Sequence, residues 1–484
     1  MTTLPAIARG KVSEVEPAKL QLDRDEMRAL GYLVVDTLIE HFDSLARGRA
    51  GRIGDRAALE ALFQEPVPER GTDARELVQR LARTVFETMM HVDHPRFFAF
   101  VPSPGNFVGA MADALASGFN PFVGTWFGGS GPAEVELVTV NWLRQLCGLP
   151  DTAGGLFVSG GSMANLTALA VARHAGLGGE MSNATVYYSD QTHSSIDRAL
   201  HVLGFAPQQT RRLPSDERFR LPLAALERAV AADRALGHRP FCVVASAGTI
   251  NTGAVDPLPE LARFCRREGL WLHTDGAYGA AAVLCEEGRR LLAGIEESDS
   301  LSLDPHKWLF QPFEIGCVLV RDSRMLKDTF RIMPEYLRDA HRLEEQVNFC
   351  DHGVQLTRSF RALKLWLSLK VFGLGAFRQA VAWGFHLAEL AEAWLRESPA
   401  WEIVTPAQMG IVSFRYAASG RGREELDAIN ERLARDITTS GFAVMASTTL
   451  LGHTALRLCT INPRTTEDDI HETIARLEAL AGET

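Results

Sequence analysis

Ser300-Leu301-Ser302-Leu303-Asp304-Pro305-His306-Lys307-Trp308 is the stretch on which the reading of this chain turns. Apolar residues alternate with small polar ones, the mark of a strand with two unlike faces. Pro305 ends the strand because it has no N–H to give a sheet ladder. His306 and Lys307 follow at once, and Trp308 opens the apolar run Trp308-Leu309-Phe310. A lysine between a buried strand end and an aromatic is partly desolvated, which brings the neutral amine needed for imine chemistry within reach. Taken alone, Lys307 reads equally as a surface lysine at a turn. Two motifs upstream change that.

Leu156-Phe157-Val158-Ser159-Gly160-Gly161-Ser162 leads into the helix opening Met163-Ala164-Asn165-Leu166. A strand, a small-residue turn and a helix N-terminus together offer free N–H groups and the positive end of a helix dipole to an anion such as a phosphate. The pattern is neither GxxxxGK[ST] nor GxGxxG, so a nucleotide is not indicated. A plain tight turn is the competing reading. The second motif is Leu270-Trp271-Leu272-His273-Thr274-Asp275-Gly276-Ala277-Tyr278-Gly279. It places Asp275 at the carboxyl end of a buried strand, where α/β folds bind ligands. A buried acid needs a partner. The pyridinium nitrogen of pyridoxal phosphate would be one, and a protonated ring is the electron sink of amino-acid carbanion chemistry. Asp275 capping the next helix is the alternative. Gln191-Thr192-His193-Ser194-Ser195 follows another strand, so His193 lies near the same edge as a flat group able to stack on a ring. Phosphate turn, strand-end acid and lysine in this order form a combined signal for pyridoxal phosphate.

The totals agree with a soluble enzyme. The chain has 484 residues, 46% hydrophobic and 23% charged, enough for two or three domains. A net charge of −10 without blocks of like charge leaves no footprint for nucleic acid. Seven scattered cysteines, with no CxxC, argue against a disulfide framework or structural zinc and for a reducing compartment. There is no signal-peptide core and no apolar run long enough to span a bilayer, so a cytoplasmic location without membrane partners is expected.

Along the chain, helices are expected from Leu22, over Ala57–Phe63 and over Asp73–Met90. They make a poor core of their own and are expected to pack on another body, such as a second subunit; a small independent helical domain is the alternative. His94–Phe127 is rich in aromatics broken by Pro and Gly, follows no single period, and has no lysine or arginine after Arg96. Its residues, Phe100, Pro102, Ser103 and Phe122 among them, either line an apolar substrate pocket or form inter-domain core. From Gly155 to about Phe372 strands and helices alternate, which predicts a mostly parallel sheet covered on both faces. A long helix from Ala376 then leads into a smaller α+β unit. The expected division is 1–93 helical, 94–375 α/β and 376–484 small α+β.

With these residues in view, the chain resembles the group II pyridoxal-phosphate-dependent amino-acid decarboxylases, most of all those acting on aromatic L-amino acids. The resemblance runs from about Leu22 to Leu480 and is carried by Asp304-Pro-His-Lys-Trp308, His273-Thr-Asp-Gly-Ala-Tyr278, Gln191-Thr-His-Ser-Ser195 and His94-Pro-Arg-Phe-Phe-Ala99. It implies fold type I, the aspartate-aminotransferase type, and a homodimer whose N-terminal helices embrace the partner. It implies that Lys307 forms the Schiff base and His306 contacts the cofactor. Asp275 would pair with the ring nitrogen, and Ala277 and His193 would pack on opposite ring faces. Gly161, Ser162 and Asn165 would hold the phosphate, with Thr249 near the ring. Arg358 would take the substrate α-carboxylate, and Tyr336, in a loop at 324–353, would protonate Cα, typically in the neighbouring subunit's site. The chain departs from the family at Met163, where Glu is frequent, and at Val92, where Trp is usual. The aromatic-rich stretch without cations favours a neutral aromatic substrate. An acidic amino acid, aldehyde synthesis, transamination and a non-catalytic paralogue are the alternatives, the last opposed by the presence of Lys307 and Asp275.

Overall fold

Strand–helix alternation does build one large sheet in the computed structural model, which describes residues 20–332 and 346–482. Its strands are β1 (Gly154–Val158), β2 (Ala184–Ser189), β3 (Thr210–Leu213), β4 (Arg239–Ser246), β5 (Trp271–Asp275), β6 (Ser300–Leu303) and β7 (Gly316–Val320). The order is β1-β7-β6-β5-β4-β2-β3. Strands β2 to β6 pair in parallel, and β7 runs antiparallel to both its neighbours. Every residue of β2, β6 and β7 is buried, as expected where helices cover both faces. A second, antiparallel sheet follows, with β8 (Trp401–Gln408), β9 (Ile411–Tyr416), β10 (Ser447–Leu450) and β11 (His453–Cys459) in the order β10-β11-β9-β8.

The chain divides into two compact units. One comprises the described residues 20–44 and 54–88, with helices Arg24–Ser44, Arg56–Phe63 and Ala74–Thr84, none of which contains a buried residue. The other comprises 45–53 and 89 onward. The boundary expected after residue 375 falls just past Gly373, whose non-helical backbone (φ 74°, ψ 153°) separates two helical segments within Ala362–Glu397. One apolar core runs through Leu301, Trp308, Phe385 and Ile411, so the large sheet and the second sheet share it.

Two elements differ from the expectation. Within the aromatic stretch 94–127, residues Phe107–Phe119 form a helix, capped by the Asn106 side chain at one end and closed by Asn120 in the left-handed region (φ 47°) at the other. The helix expected over Asp73–Met90 ends at Thr84. Among the described residues no helix is long and apolar enough to cross a membrane, and all seven cysteines are unpaired.

Candidate active site

The carboxyl ends of the parallel strands open into a cavity of about 390 Å³. Its walls include Phe100, Ser103, Gly161, Ser162, Asn165, His193, Thr249, Asp275, Ala277, His306 and Lys307. Three expected site residues are not among them. Pro102 is buried outside the lining, Phe122 lines a neighbouring cavity, and Arg358 lies with it there. Tyr336 lies outside the described residues.

Lys307 is held by what surrounds it. Its N–H closes a turn onto the Asp304 carbonyl (2.9 Å), and its Nζ meets the buried Asp304 carboxylate at 2.9 Å. Trp308 is fully buried, stacked between Tyr278 (ring centroids 5.5 Å apart) and Phe385 (5.3 Å), so the turn is pinned to the core one residue after the amine. His306 accepts the Ile315 N–H at Nδ1 (3.3 Å) and faces Asp304 with Nε2 (3.6 Å). Burial lowers its proton affinity, with Asp304 opposing.

Asp275 stands at the end of β5 with three donors on its carboxylate: Asn165 Nδ2 (2.9 Å), Ser302 Oγ (3.1 Å) and the Ala277 N–H (3.1 Å). Burial pushes its pKa up, but His273, Lys307 and the Ala277 N–H outweigh burial and hold it below the ordinary carboxylate value. His193 receives the Ser195 N–H at Nδ1 (3.2 Å), and the Ser195 hydroxyl lies 2.8 Å from the same nitrogen.

The helix Gly161–Leu177 begins at the cavity and has no side-chain cap at Gly160, which leaves the Gly161 and Ser162 N–H groups to an incoming anion, those of Met163 and Ala164 being bonded to the Gly160 carbonyl. Asn165 is in the wall but not in that anion site. It is the fifth residue of the helix, past the free N–H groups, and its amide is spent on Asp275, Ser195 (2.9 Å) and His273 (3.0 Å). The phosphate role expected for Asn165 is therefore corrected to one of support.

Arg358 is likewise corrected. Its side chain is 1% exposed, and it pairs bidentately with the fully buried Glu136 (2.5 and 3.2 Å). It also donates to the Phe157 carbonyl (2.6 Å), while Glu136 accepts the Phe157 N–H (2.9 Å). With the outward backbone groups of Phe157 satisfied in this way and the Phe349 ring packed on the guanidinium (4.8 Å), Arg358 is not available to a substrate carboxylate in the cavity. No arginine appears in the described lining of the cavity, and Lys307 is its only lysine.

Several wall residues were not expected. Phe313 and Glu314 close one side, and Gln191, Ser246 and Ile250 line another. Phe100 reaches the wall through a left-handed backbone (φ 51°), rare for a bulky residue, and Arg457 of β11 donates to its carbonyl. Ser195, Ser302 and His273 stand inside quoted motifs, but nothing in a linear reading shows that their side chains meet.

Residues 57–417 match the model of the pyridoxal-dependent decarboxylase conserved domain. The chain belongs to the pyridoxal-dependent decarboxylase family. It is 52% identical over 466 residues to an aromatic-L-amino-acid decarboxylase of Bacillus atrophaeus, covering 96% of this chain and 97% of that one. The Oryza sativa TDC, solved with PLP and tryptamine, superposes with a TM-score of 0.91 at 28% identity, covering 96% of this chain and 99% of that one. Catharanthus roseus tryptophan decarboxylase, solved with L-tryptophan, gives 0.89 at 25% identity over the same shares.

The family's cofactor is pyridoxal phosphate, and the residues present fit it. A Cβ at Gly161 would stand 2.8 Å from Asp304 Oδ2 and 2.9 Å from Ala277 Cβ, so only glycine leaves that cradle open. Asp304 Oδ1 is buried without a hydrogen-bond partner beside the same turn. An anionic carboxylate and a lysine amine line the one cavity, as a pyridine nitrogen and an aldehyde require.

Proposed function

We propose that the cavity decarboxylates an aromatic L-amino acid, such as tryptophan, phenylalanine, tyrosine or a hydroxylated relative, to the corresponding amine. The observation that carries this reading is the wall itself: Phe100, Val101, Ile250 and Phe313 stand beside Lys307 and Asp275, and among the described residues no arginine lines it for a distal carboxylate. The name of the Bacillus atrophaeus relative supports it.

When bound, pyridoxal phosphate supplies an aldehyde for imine formation and a ring that takes up the electron pair released with CO₂. Gly161 and Ser162 offer backbone N–H groups, and Ser162 a hydroxyl, to its phosphate. Asp275, its pKa held below the ordinary carboxylate value, would keep a proton on the cofactor's ring nitrogen. His193 and Ala277, both in the cavity wall, would bound the ring's two faces, and His306 and Thr249 would flank it. Lys307 would hold the cofactor through its amine, and Asp304 is its counter-ion. Tyr336, by resemblance, delivers the proton to Cα.

The test is CO₂ release across a panel of aromatic and acidic amino acids, repeated with Tyr336→Phe. Aromatic substrates are expected to lead, with amine yield falling in the variant. Preference for glutamate would overturn the substrate class, and an unchanged yield would overturn the role of Tyr336.

The working form proposed is a cytoplasmic homodimer. Helices Arg24–Ser44 and Ala74–Thr84 carry Tyr32, Ile39, Leu77 and Leu81 exposed, apolar residues that a second copy would cover. A fully active monomer by light scattering would refute it.

A further inference from the structure

The residues behind Asp275 and His193 form one chain of hydrogen bonds whose direction can be worked out from both ends. At the far end, Trp271 Nε1 donates to Ser300 Oγ (2.9 Å), and that hydroxyl lies 2.9 Å from His273 Nδ1. His273 Nε2 is 3.0 Å from Asn165 Oδ1. The Asn165 amide nitrogen then donates to Asp275 Oδ2 and to Ser195 Oγ, each at 2.9 Å, and Ser195 Oγ is 2.8 Å from His193 Nδ1.

An indole N–H only donates, which leaves the Ser300 hydrogen available to His273 Nδ1, the arrangement that goes with the histidine's own hydrogen on Nε2. From the other end, an ionised Asp275 only accepts, so Asn165 must turn its nitrogen toward it. Asn165 Oδ1 then faces His273 and requires a hydrogen on Nε2. The two arguments meet on the same tautomer. Because the second Asn165 hydrogen goes to Ser195, the Ser195 hydroxyl hydrogen is left for His193 Nδ1. The Ser195 N–H points at that same nitrogen (3.2 Å), which excludes a hydrogen there. His193 therefore carries its hydrogen on Nε2.

Every member from Ser300 to Asn165 is at most 1% exposed, so water does not compete for these bonds. The parallel register sets His273 opposite Ser300 and Asp275 opposite Ser302, so the sheet itself aligns the polar pairs.

We propose that His273, backed by Ser300 and Trp271, is a positioning residue that locks the Asn165 amide in one orientation. Through that one amide it fixes both the donor on the ring-nitrogen carboxylate and the tautomer of the ring-facing histidine. Asn165 cannot flip without setting its oxygen against Asp275, and His273 is what holds it from behind. Burial drives the pKa of His273 down to about 4, which keeps it a neutral, single-donor group at working pH. The proposal rests on the cofactor-site reading only for its consequence; the tautomers belong to the protein alone.

The test is ¹⁵N NMR of histidine-labelled protein without cofactor, together with a fluorescence titration by pyridoxal phosphate. The wild type is expected to show His193 and His273 protonated on Nε2 only. His273→Phe, which keeps the ring and loses the donor, is expected to give a mixed His193 signal and roughly tenfold weaker cofactor binding, the scale of one buried hydrogen bond. His273→Gln, whose amide nitrogen can replace Nε2–H, is expected to restore both. A wild-type His193 protonated on Nδ1 overturns the proposal even if His273→Phe fails to fold. So does a folded His273→Phe with unchanged His193 signals and affinity. A wild-type protein with the expected tautomers that binds no pyridoxal phosphate would overturn the cofactor site instead.

Discussion

At the scale of single residues, Asn165 shows how a side chain can be essential without touching the chemistry. Its neighbours read its identity closely: one face needs two donors and the other an acceptor. Asn165→Asp keeps the shape and sets a second carboxylate beside Asp275. Like charges at that distance cannot both stay ionised. Cofactor affinity is expected to fall by at least about tenfold with the fold intact, read by fluorescence titration against circular dichroism. Unchanged affinity would mean that Asn165 merely fills space. Lys307, Asp275 and His193 were legible from the sequence because each sits where strand grammar ends. His273 and Ser300 were legible in principle. They fall at positions i−2 from Asp275 and Ser302, hence on the same strand faces, and a polar residue there in a buried strand asks for a partner. What the sequence alone does not show is which strands are neighbours, and so which pairs meet.

Elements were read unevenly, and the physical reason differs from case to case. The buried parallel strands announce themselves as apolar runs closed by small residues. Strand β3, Thr-Arg-Arg-Leu, lies at the sheet's edge and needs no such run, so nothing in its composition marks it. The helix Phe107–Phe119 was hidden by its aromatic surroundings, although Asn106 and Asn120 stand at its two ends as start and stop signals. Phe372-Gly-Leu-Gly375 does interrupt the helix, because Gly373 takes a backbone conformation (φ 74°, ψ 153°) that no helix allows, and a second helical segment runs on to Glu397. Arg358 was misjudged because an arginine's partner is a matter of folding, not of spacing. Glu136→Gln leaves Arg358 charged and buried without its carboxylate. This is expected to cost about 3–5 kcal/mol in urea unfolding, with KM little changed in the protein that remains folded. A large KM effect at unaltered stability would return Arg358 to the substrate.

For the molecule as a whole, acid should act through buried imidazoles. Burial, with Arg96 adding to it, drives His94 down to about 4, and burial alone is the main cause for His273 at about 4. Each is neutral when folded and takes up a proton at its ordinary value of about 6.5 when unfolded. Below that value the unfolded chain binds protons that the folded one refuses, so stability is complete above about 6.5 and falls as pH drops toward 4. Each group contributes at most roughly 3 kcal/mol to that loss. Urea midpoints measured between pH 7.5 and 4 should decline over this window, and a flat profile would contradict the buried neutral state. The parallel sheet and its cofactor edge were accessible from the sequence, since both follow from pattern. The continuity of the core across the two sheets was not, because it depends on Trp308 stacking on Phe385, far along the chain.

The Glu136–Arg358 pair has one more consequence. By taking up the N–H and C=O that Phe157 turns outward, it occupies the place where an eighth strand would dock. The first strand is thereby blunted at Phe157 against templating another chain.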